Sequence, residues 1–255
     1  MSGSVREAVI LMAGSGSRLS DGENKRLKPL LPVDGRPLIS YTLDAMTRAG
    51  IEKIYAVIGF QGETLRAGVE PLVPRKIDIR WIDNPHWQLQ NGISLLAAAP
   101  HVSAPFLLTM GDHLFDAAIV DLLLRESKLD RLNVAIDRKL ESIFDLDDAM
   151  KLQVEGECVT AIGKDLENYS AIDTGLFVGP IEFFSYLKKA KANGDCSLAD
   201  GVRAMAADEL VRAVDIGAAW WQDVDTREML ANAEKQLHAR RAQLASAGSD
   251  RRDTT

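Results

Sequence analysis

The chain has 255 residues, 46% of them hydrophobic, and a fold of this length hides roughly 70–75% of its unfolded surface. Its 30 lysines and arginines against 37 aspartates and glutamates leave a net charge of −7, which argues against broad electrostatic attraction to nucleic acid or to an anionic membrane surface. Cys158 and Cys196 give neither a disulfide framework nor a zinc knuckle, and no apolar run reaches membrane-spanning length. These features predict a soluble, cytoplasmic protein with no direct membrane insertion.

"EAVILMAG" is an apolar run of strand length closed by glycine. "PLISYTLDAMTRAG" opens a helix at Pro37, places Ile39, Leu43 and Met46 at helical spacing, and supplies Gly50 as a C-cap. "KIYAVIG" predicts a buried strand, residues 61–72 a weak helix, residues 77–82 a strand, "GISLLAAA" a helix stopped by Pro100, and "PFLLTM" another strand. Such alternation predicts an α/β fold, Rossmann-like and doubly wound around a mixed, mostly parallel sheet. Past "AAIVDLLLRES" the rhythm changes. "KLQVEGECVTAI" alternates on both sides of Glu155-Gly156, predicting a small β-hairpin insertion. Two helices, "PIEFFSYLKKAKA" and "LADGVRAMAA", precede "ELVRAVDIG", "AWWQDVD" and a long final helix from Arg227. Short loops predict a single domain over residues 1–245, and the polar residues 246–255 read as a flexible tail.

The segment behind the first strand, "LMAGSGSRLSDGENKRLKPLLPV", admits three nucleotide-loop readings. A dinucleotide fingerprint needs glycine where Leu19 stands, and the acid at Asp34 lies in the turn "PVDGRP" rather than at a strand end. A Walker loop needs glycine, lysine and Ser/Thr in succession, a triplet missing here. The third reading is a polyphosphate cradle. Ala13, Gly14, Ser15, Gly16 and Ser17 let the backbone pass close to phosphate and form an anion nest. Arg18 adds a guanidinium fork, and Lys28, between Leu27 and Pro29, brings a point charge to the phosphorus under attack. The plain alternative is a glycine turn with surface cations.

This segment, together with "NPHWQLQNGISLLAA", "LLTMGDHLFD", "IGKDLENYSAIDTGLF" and "WWQDVDTREML", resembles the nucleotidyltransferases that join a nucleoside triphosphate to a phosphorylated sugar or alcohol. The resemblance runs from residue 5 to about residue 237 and is strongest toward inositol-1-phosphate cytidylyltransferases, through "GDHLF" and "YSAIDTG". It implies a GT-A-like nucleotidyltransferase fold.

"PFLLT" places Asp112 at the carboxyl end of a strand, where open α/β sheets bind ligands, although a strand-end aspartate also serves turns. Asp223 and Asp225 share one face of an extended "QDVDT". Together these hard oxygen ligands suit Mg2+, and the resemblance implies metal binding by Asp112 with Asp223, Asp225 or both. The alternative for "DVDTREML" is a helix start capped by Asp225 or Thr226. His113 has no paired metal-ligand motif and reads as a supporting residue. Gln90 and Asn91 offer amide edges to a base or ribose, with Gly92 and Ser94 in the first helical turn, while Asn91 also suits an N-cap. Lys151 and Lys164 flank the hairpin. Either fits an exposed strand edge, and the resemblance implies that Lys164, the better match, faces the acceptor phosphate and that Asp173 faces acceptor hydroxyls.

The chemistry implied is attack by an alcohol-1-phosphate oxygen on the α-phosphorus of CTP, giving a CDP-alcohol and pyrophosphate. The phosphate's second pKa, near ~6, makes a dedicated base unnecessary. Other acceptors and nucleotides stay open: a hexose-1-phosphate, choline phosphate or phosphonate with CTP, UTP, GTP or dTTP. A nucleotide sensor without turnover is the alternative of a different class. Expected partners are CTP and a small phosphorylated alcohol, with no nucleic acid. A homodimer is compatible, and a separate membrane CDP-alcohol phosphotransferase would use the product in phospholipid synthesis.

Overall fold

A computed structural model describes residues 5–16 and 27–249, with side chains through residue 240. In β1 (Glu7–Met12), Val9 and Leu11 enter one core while Ala8, Ile10 and Met12 enter the other, the period of two required of a strand covered on both faces. After the glycine segment a 3-10 turn, Lys28–Leu30, leads into the two-residue strands β2 (Pro32–Val33) and β3 (Arg36–Pro37). Next come α1 (Leu38–Arg48), β4 (Lys53–Ile58), α2 (Gly62–Val69), β5 (Asp78–Asp83), α3 (Asn91–Ala98) and β6 (Phe106–Met110). A short β7 (His113–Phe115) precedes α4 (Ala117–Glu126), β8 (Leu132–Asp137) and the hairpin of β9 (Lys151–Glu155) and β10 (Cys158–Gly163). β11 (Ala171–Gly179), α5 (Phe183–Ala190), α6 (Leu198–Ala206), β12 (Val211–Asp215), β13 (Trp221–Asp223) and α7 (Arg227–Ser249) complete the order.

The main sheet has nine strands in the order β5-β4-β1-β6-β11-β8-β12-β10-β9. β5, β4, β1 and β6 run parallel, as do β8 and β12, whereas β11 is antiparallel to both β6 and β8. Helices α3, α5 and α6 cover one face, and α1, α2 and α4 cover the other. Burying one large apolar side chain in these layers contributes about 1.5–3 kcal/mol. A third, small cluster of Leu31, Val33, Leu114, Val224 and Ala233 fastens α7 beside the Lys28 turn. Among the described residues no helix is long and apolar enough to cross a membrane.

The doubly wound architecture agrees with the sequence pattern; several details differ. Pro37 precedes α1 in an extended conformation, because it pairs with Pro32 in the β2–β3 ribbon. The helix expected over residues 61–72 divides into α2 and a 3-10 turn at Glu70–Leu72, where the ring of Pro71 cannot continue α-helical bonding. The expected hairpin forms and joins the main sheet. β9 pairs with β10 and with β11, and β10 touches β12 at Cys158 and Arg212, so β11, β8, β12, β10 and β9 close a ring. α7 runs from Arg227 through Ser249.

Candidate active site

The carboxyl ends of parallel β1 and β6 form the floor of the site. Gly111 N–H donates to the Leu11 carbonyl at 2.9 Å, so the chain leaves β6 beside the start of the glycine segment. A Cβ on Gly111 would lie 2.4 Å from Met12 Cγ and 3.2 Å from Pro29 Cγ. That close passage brings Asp112 against the turn that carries Lys28. A second connection comes from the ribbon of β7 and β13, whose register sets Asp223 opposite His113, and from Val224 N–H, which donates to the Asp112 carbonyl at 2.9 Å. Two segments more than a hundred residues apart thus present Asp112, Asp223 and Asp225 on one rim.

Lys28 Nζ stands between two of these carboxylates, 3.1 Å from Asp112 Oδ2 and also bonded to Asp225 Oδ1. Side-chain exposures of 15% for Lys28, 26% for Asp112 and 18% for Asp225 put the cluster on a cleft wall open to solvent, not within the core. Burial opposes the Lys28 charge, but the two carboxylates outweigh it and lift its titration above the ordinary lysine range. Burial likewise opposes the Asp112 charge. The hydrogen bond from His113 Nδ1, 2.9 Å from Asp112 Oδ1, and the Lys28 ammonium hold Asp112 well below the usual carboxylate range. For His113, burial is overcome by Asp112, Asp223 and Asp173, which raise it above the ordinary imidazole value. Burial raises Asp223, with Asp225 and Asp112 adding to the effect against His113. It pushes Asp173 up to about 7, against the Gly175 N–H and the His113 charge.

The "DVDTREML" segment begins α7, as its helix-start reading expects. Thr226 Oγ1 accepts from Met229 N–H at 3.2 Å and caps α7, while Asp225 turns to Lys28. Among the described residues no three His, Cys, Asp or Glu side chains are already gathered at metal-ligating distances. The donor chemistry nevertheless fits a hard divalent cation, because the rim offers carboxylate oxygens and no thiolate.

Behind this rim opens a cavity of about 720 Å³, lined by Asp112, His113, Lys164, Asp173, Trp221 and Arg240 among others. That volume lies in the range of small-molecule sites. Lys164 is paired with Asp148, and Lys151 Nζ donates to the Lys164 carbonyl at 2.7 Å, so Lys151 supports the turn that presents Lys164. Ala13, Gly14, Ser15 and Gly16 follow β1 directly, with Ala13 buried, Gly14 exposed and Gly16 at a φ of +60°. Ser17 and Arg18 lie outside the described residues.

The other expected nucleotide contacts divide. Gln90 is exposed at the mouth and lines the cavity with Asn91. Asn91 is the first residue of α3 rather than its N-cap, and its Oδ1 accepts from Leu198 N–H at 2.8 Å, fixing the start of α6. A Cβ on Gly92 would sit 2.6 Å from the Cys196 carbonyl, so its small size serves helix packing. Ser94 is buried and its Oγ accepts from Asn84 Nδ2 at 3.0 Å. Asn91 and Ser94 are therefore engaged in tertiary structure.

Sequence reading missed part of the cavity lining, on β8 beside Asp173 and on α7. Asp137, at the end of β8, accepts from Trp221 Nε1 at 3.1 Å and from Lys139 Nζ at 2.7 Å, and Arg240 of α7 donates to Asp116 Oδ2 at 2.7 Å. Asp137 closes "NVAID" as Asp112 follows "PFLLTMG", so strand-end placement was an available signal. No local pattern announces the α7 contribution.

Residues 8–144, more than half of the chain, match the family model described as a MobA-like NTP transferase domain. The chain belongs to this family. The chain is 32% identical over 232 residues to the Bifunctional IPC transferase and DIPP synthase of Rubrobacter xylanophilus, covering 90% of this chain and 51% of that protein. The protein of the same description from Aquifex aeolicus is 28% identical, with coverage of 91% and 52%. The chain thus spans about half the length of these curated relatives. Among solved structures, the inositol-1-phosphate CTP transferase from T. maritima superposes with a TM-score of 0.76 and 25% identity, covering 91% of this chain and 97% of its counterpart.

Proposed function

We propose that the protein transfers a cytidylyl group from CTP to an alcohol phosphate, best matched by 1L-myo-inositol-1-phosphate, forming a CDP-alcohol and pyrophosphate. The observation that carries the reading is the Lys28 ammonium held between Asp112 and Asp225 beside a cavity bearing Asp173 and Lys164. The described relatives and the structural counterpart favour inositol phosphate and CTP over other pairs.

In this reading Ala13 to Gly16, with Ser17 and Arg18, surround the triphosphate, and Gln90 lies on the nucleoside side. Asn91, Gly92 and Ser94 shape that wall by fixing α3 against α6 and Asn84. Asp112, Asp223 and Asp225 would hold Mg2+, which supplies charge neutralisation on the triphosphate. Lys28 places a cation at the phosphorus under attack, Lys164 holds the acceptor phosphate with Lys151 behind it, and Asp173 takes acceptor hydroxyls. Alignment of the two anions is the main task, because the acceptor phosphate is already nucleophilic. Residues 1–245 act as one catalytic unit in the cytoplasm, and a membrane CDP-alcohol phosphotransferase consumes the product in phospholipid synthesis.

The test is a matrix of CTP, UTP, GTP and dTTP against inositol-1-phosphate, glucose-1-phosphate, choline phosphate and a phosphonate, read as pyrophosphate release with Mg2+ and with chelator. Turnover should peak with CTP and inositol-1-phosphate and vanish with chelator. A maximum with UTP and a hexose phosphate overturns the substrate assignment, and nucleotide binding without pyrophosphate release in any pair overturns the enzyme.

A further inference from the structure

His113 is 14% exposed and wedged between the carboxylate rim and the cavity. Its Nδ1 is committed to Asp112 Oδ1 at 2.9 Å. Its ring lies nearly parallel to that of Trp221, with an interplanar angle of 20° and centroids 6.2 Å apart. The far edge rests against Gly175, where an added Cβ would come within 2.4 Å of Nε2. Gly175 sits at a φ of +75° in the irregular stretch where β11 shifts register against β8, and its N–H donates to Asp173 Oδ1 at 2.8 Å. One short segment of β11 therefore seats the imidazole and orients the neighbouring carboxylate. His113 Nε2 and Asp173 Oδ2 have no hydrogen-bond partner among the described residues, and both side chains line the cavity.

We propose that His113 recognises the acceptor: Nδ1 holds Asp112, and Nε2 hydrogen-bonds a ring hydroxyl of the polyol next to the hydroxyl taken by Asp173. This rests on the acceptor being a phosphorylated polyol, as argued above. A hydroxyl is the suitable partner because it both donates and accepts, so it serves imidazole with or without a proton on Nε2. The arrangement also discriminates. An acceptor lacking that hydroxyl leaves a polar nitrogen in the cavity without its bond, a loss that costs more than the bond is worth in water.

Asparagine and glutamine separate the two nitrogens, since the amide of Asn reaches the Nδ1 position and that of Gln the Nε2 position. The experiment measures pyrophosphate release by wild type, His113→Asn and His113→Gln with CTP and myo-inositol-1-phosphate, and with its monodeoxy analogues. His113→Asn should raise the inositol phosphate KM about tenfold while the CTP KM stays within about twofold. For one deoxy analogue, wild type and His113→Asn should share the same KM. His113→Gln should keep the acceptor KM and lower kcat. A His113→Asn acceptor KM equal to wild type, or an equal penalty on every deoxy analogue, overturns the proposal. If wild type turns over a different phosphorylated polyol, the acceptor assignment fails first, and the same comparison on that polyol and its deoxy forms decides His113. Calorimetric CTP binding by each variant checks that the nucleotide half of the site is intact.

Discussion

Lys28 shows how a side chain is prepared for anions before any anion arrives. Taking an ammonium partly out of water is unfavourable unless opposite charges surround it, and Asp112 and Asp225 do so at the cleft wall. Such a cluster contributes little to stability for its desolvation and is more economically explained by chemistry at the mouth of the cavity. Lys28→Ala should therefore lower kcat by about 10²-fold or more, in the range for losing a group aimed at developing charge. A value within about threefold of wild type would remove Lys28 from the mechanism. Asp173 makes a separate prediction. Burial raises its folded-state pKa to about 7, above that of an unfolded carboxylate, so the native state retains a proton that the unfolded chain has released. Stability then falls as pH rises from about 4 toward 7, and no further loss accrues above it. Asp173→Asn does not titrate and keeps an oxygen for the Gly175 N–H. Urea midpoints should show the variant gaining on wild type from pH 5 to 7 and holding a constant lead, roughly 1–3 kcal/mol, from pH 7.5 upward. Parallel curves across that range would contradict the burial argument.

At the scale of elements, the parallel half of the sheet was readable because its signals are local: apolar runs of strand length, helical spacing between them, and glycine or proline at the ends. β1, β4, β6 and α1 follow from such runs, and Asp112 follows from its place after one of them. The β7–β13 ribbon was not readable. Its two strands, His113–Phe115 and Trp221–Asp223, are too short to show a period, and each becomes a strand only by meeting the other. For the same reason Asp137, Trp221 and Arg240 could not be joined from sequence, since a pair far apart in the chain leaves no trace in local spacing. Ser94 shows the same limit: its hydroxyl at the start of a helix accepts from Asn84 Nδ2, a neighbour that local spacing does not disclose. Gly175 supplies a test that belongs to β11. Gly175→Ala adds a methyl 2.4 Å from His113 Nε2 at a φ of +75°, whereas Gly156→Ala in the hairpin turn, at a φ of +60°, meets open space. The hairpin variant should lose about 1 kcal/mol of stability and keep its turnover. The β11 variant should lose about 2 kcal/mol or more and most of its turnover, because the imidazole must move. Equal behaviour of the two would show that His113 does not depend on the space at Gly175.

Across the whole molecule, the sheet brings the site together from both ends of the chain. The Lys28 turn lies near the amino terminus, the carboxylates of "DVDT" near α7, and the small cluster of Leu31, Leu114, Val224 and Ala233 locks these parts to one another. The closure of β11, β8, β12, β10 and β9 into a ring has a further consequence, for how the protein meets its own copies. A sheet that turns back on itself leaves few backbone groups at that end for a neighbouring chain to extend. Strand addition is left to the opposite border, β5, whose outer side pairs with no strand among the described residues and whose sequence "DIRWID" carries Asp78, Arg80 and Asp83 between its apolar residues. Those charges act as guards. Replacing Asp78 and Arg80 together by valine should leave turnover intact in dilute solution and produce concentration-dependent association in light scattering; a variant that stays monodisperse would mean that the border is protected by something other than charge. These charges stand at one margin of the sheet, at the other end of the strand order from the hairpin.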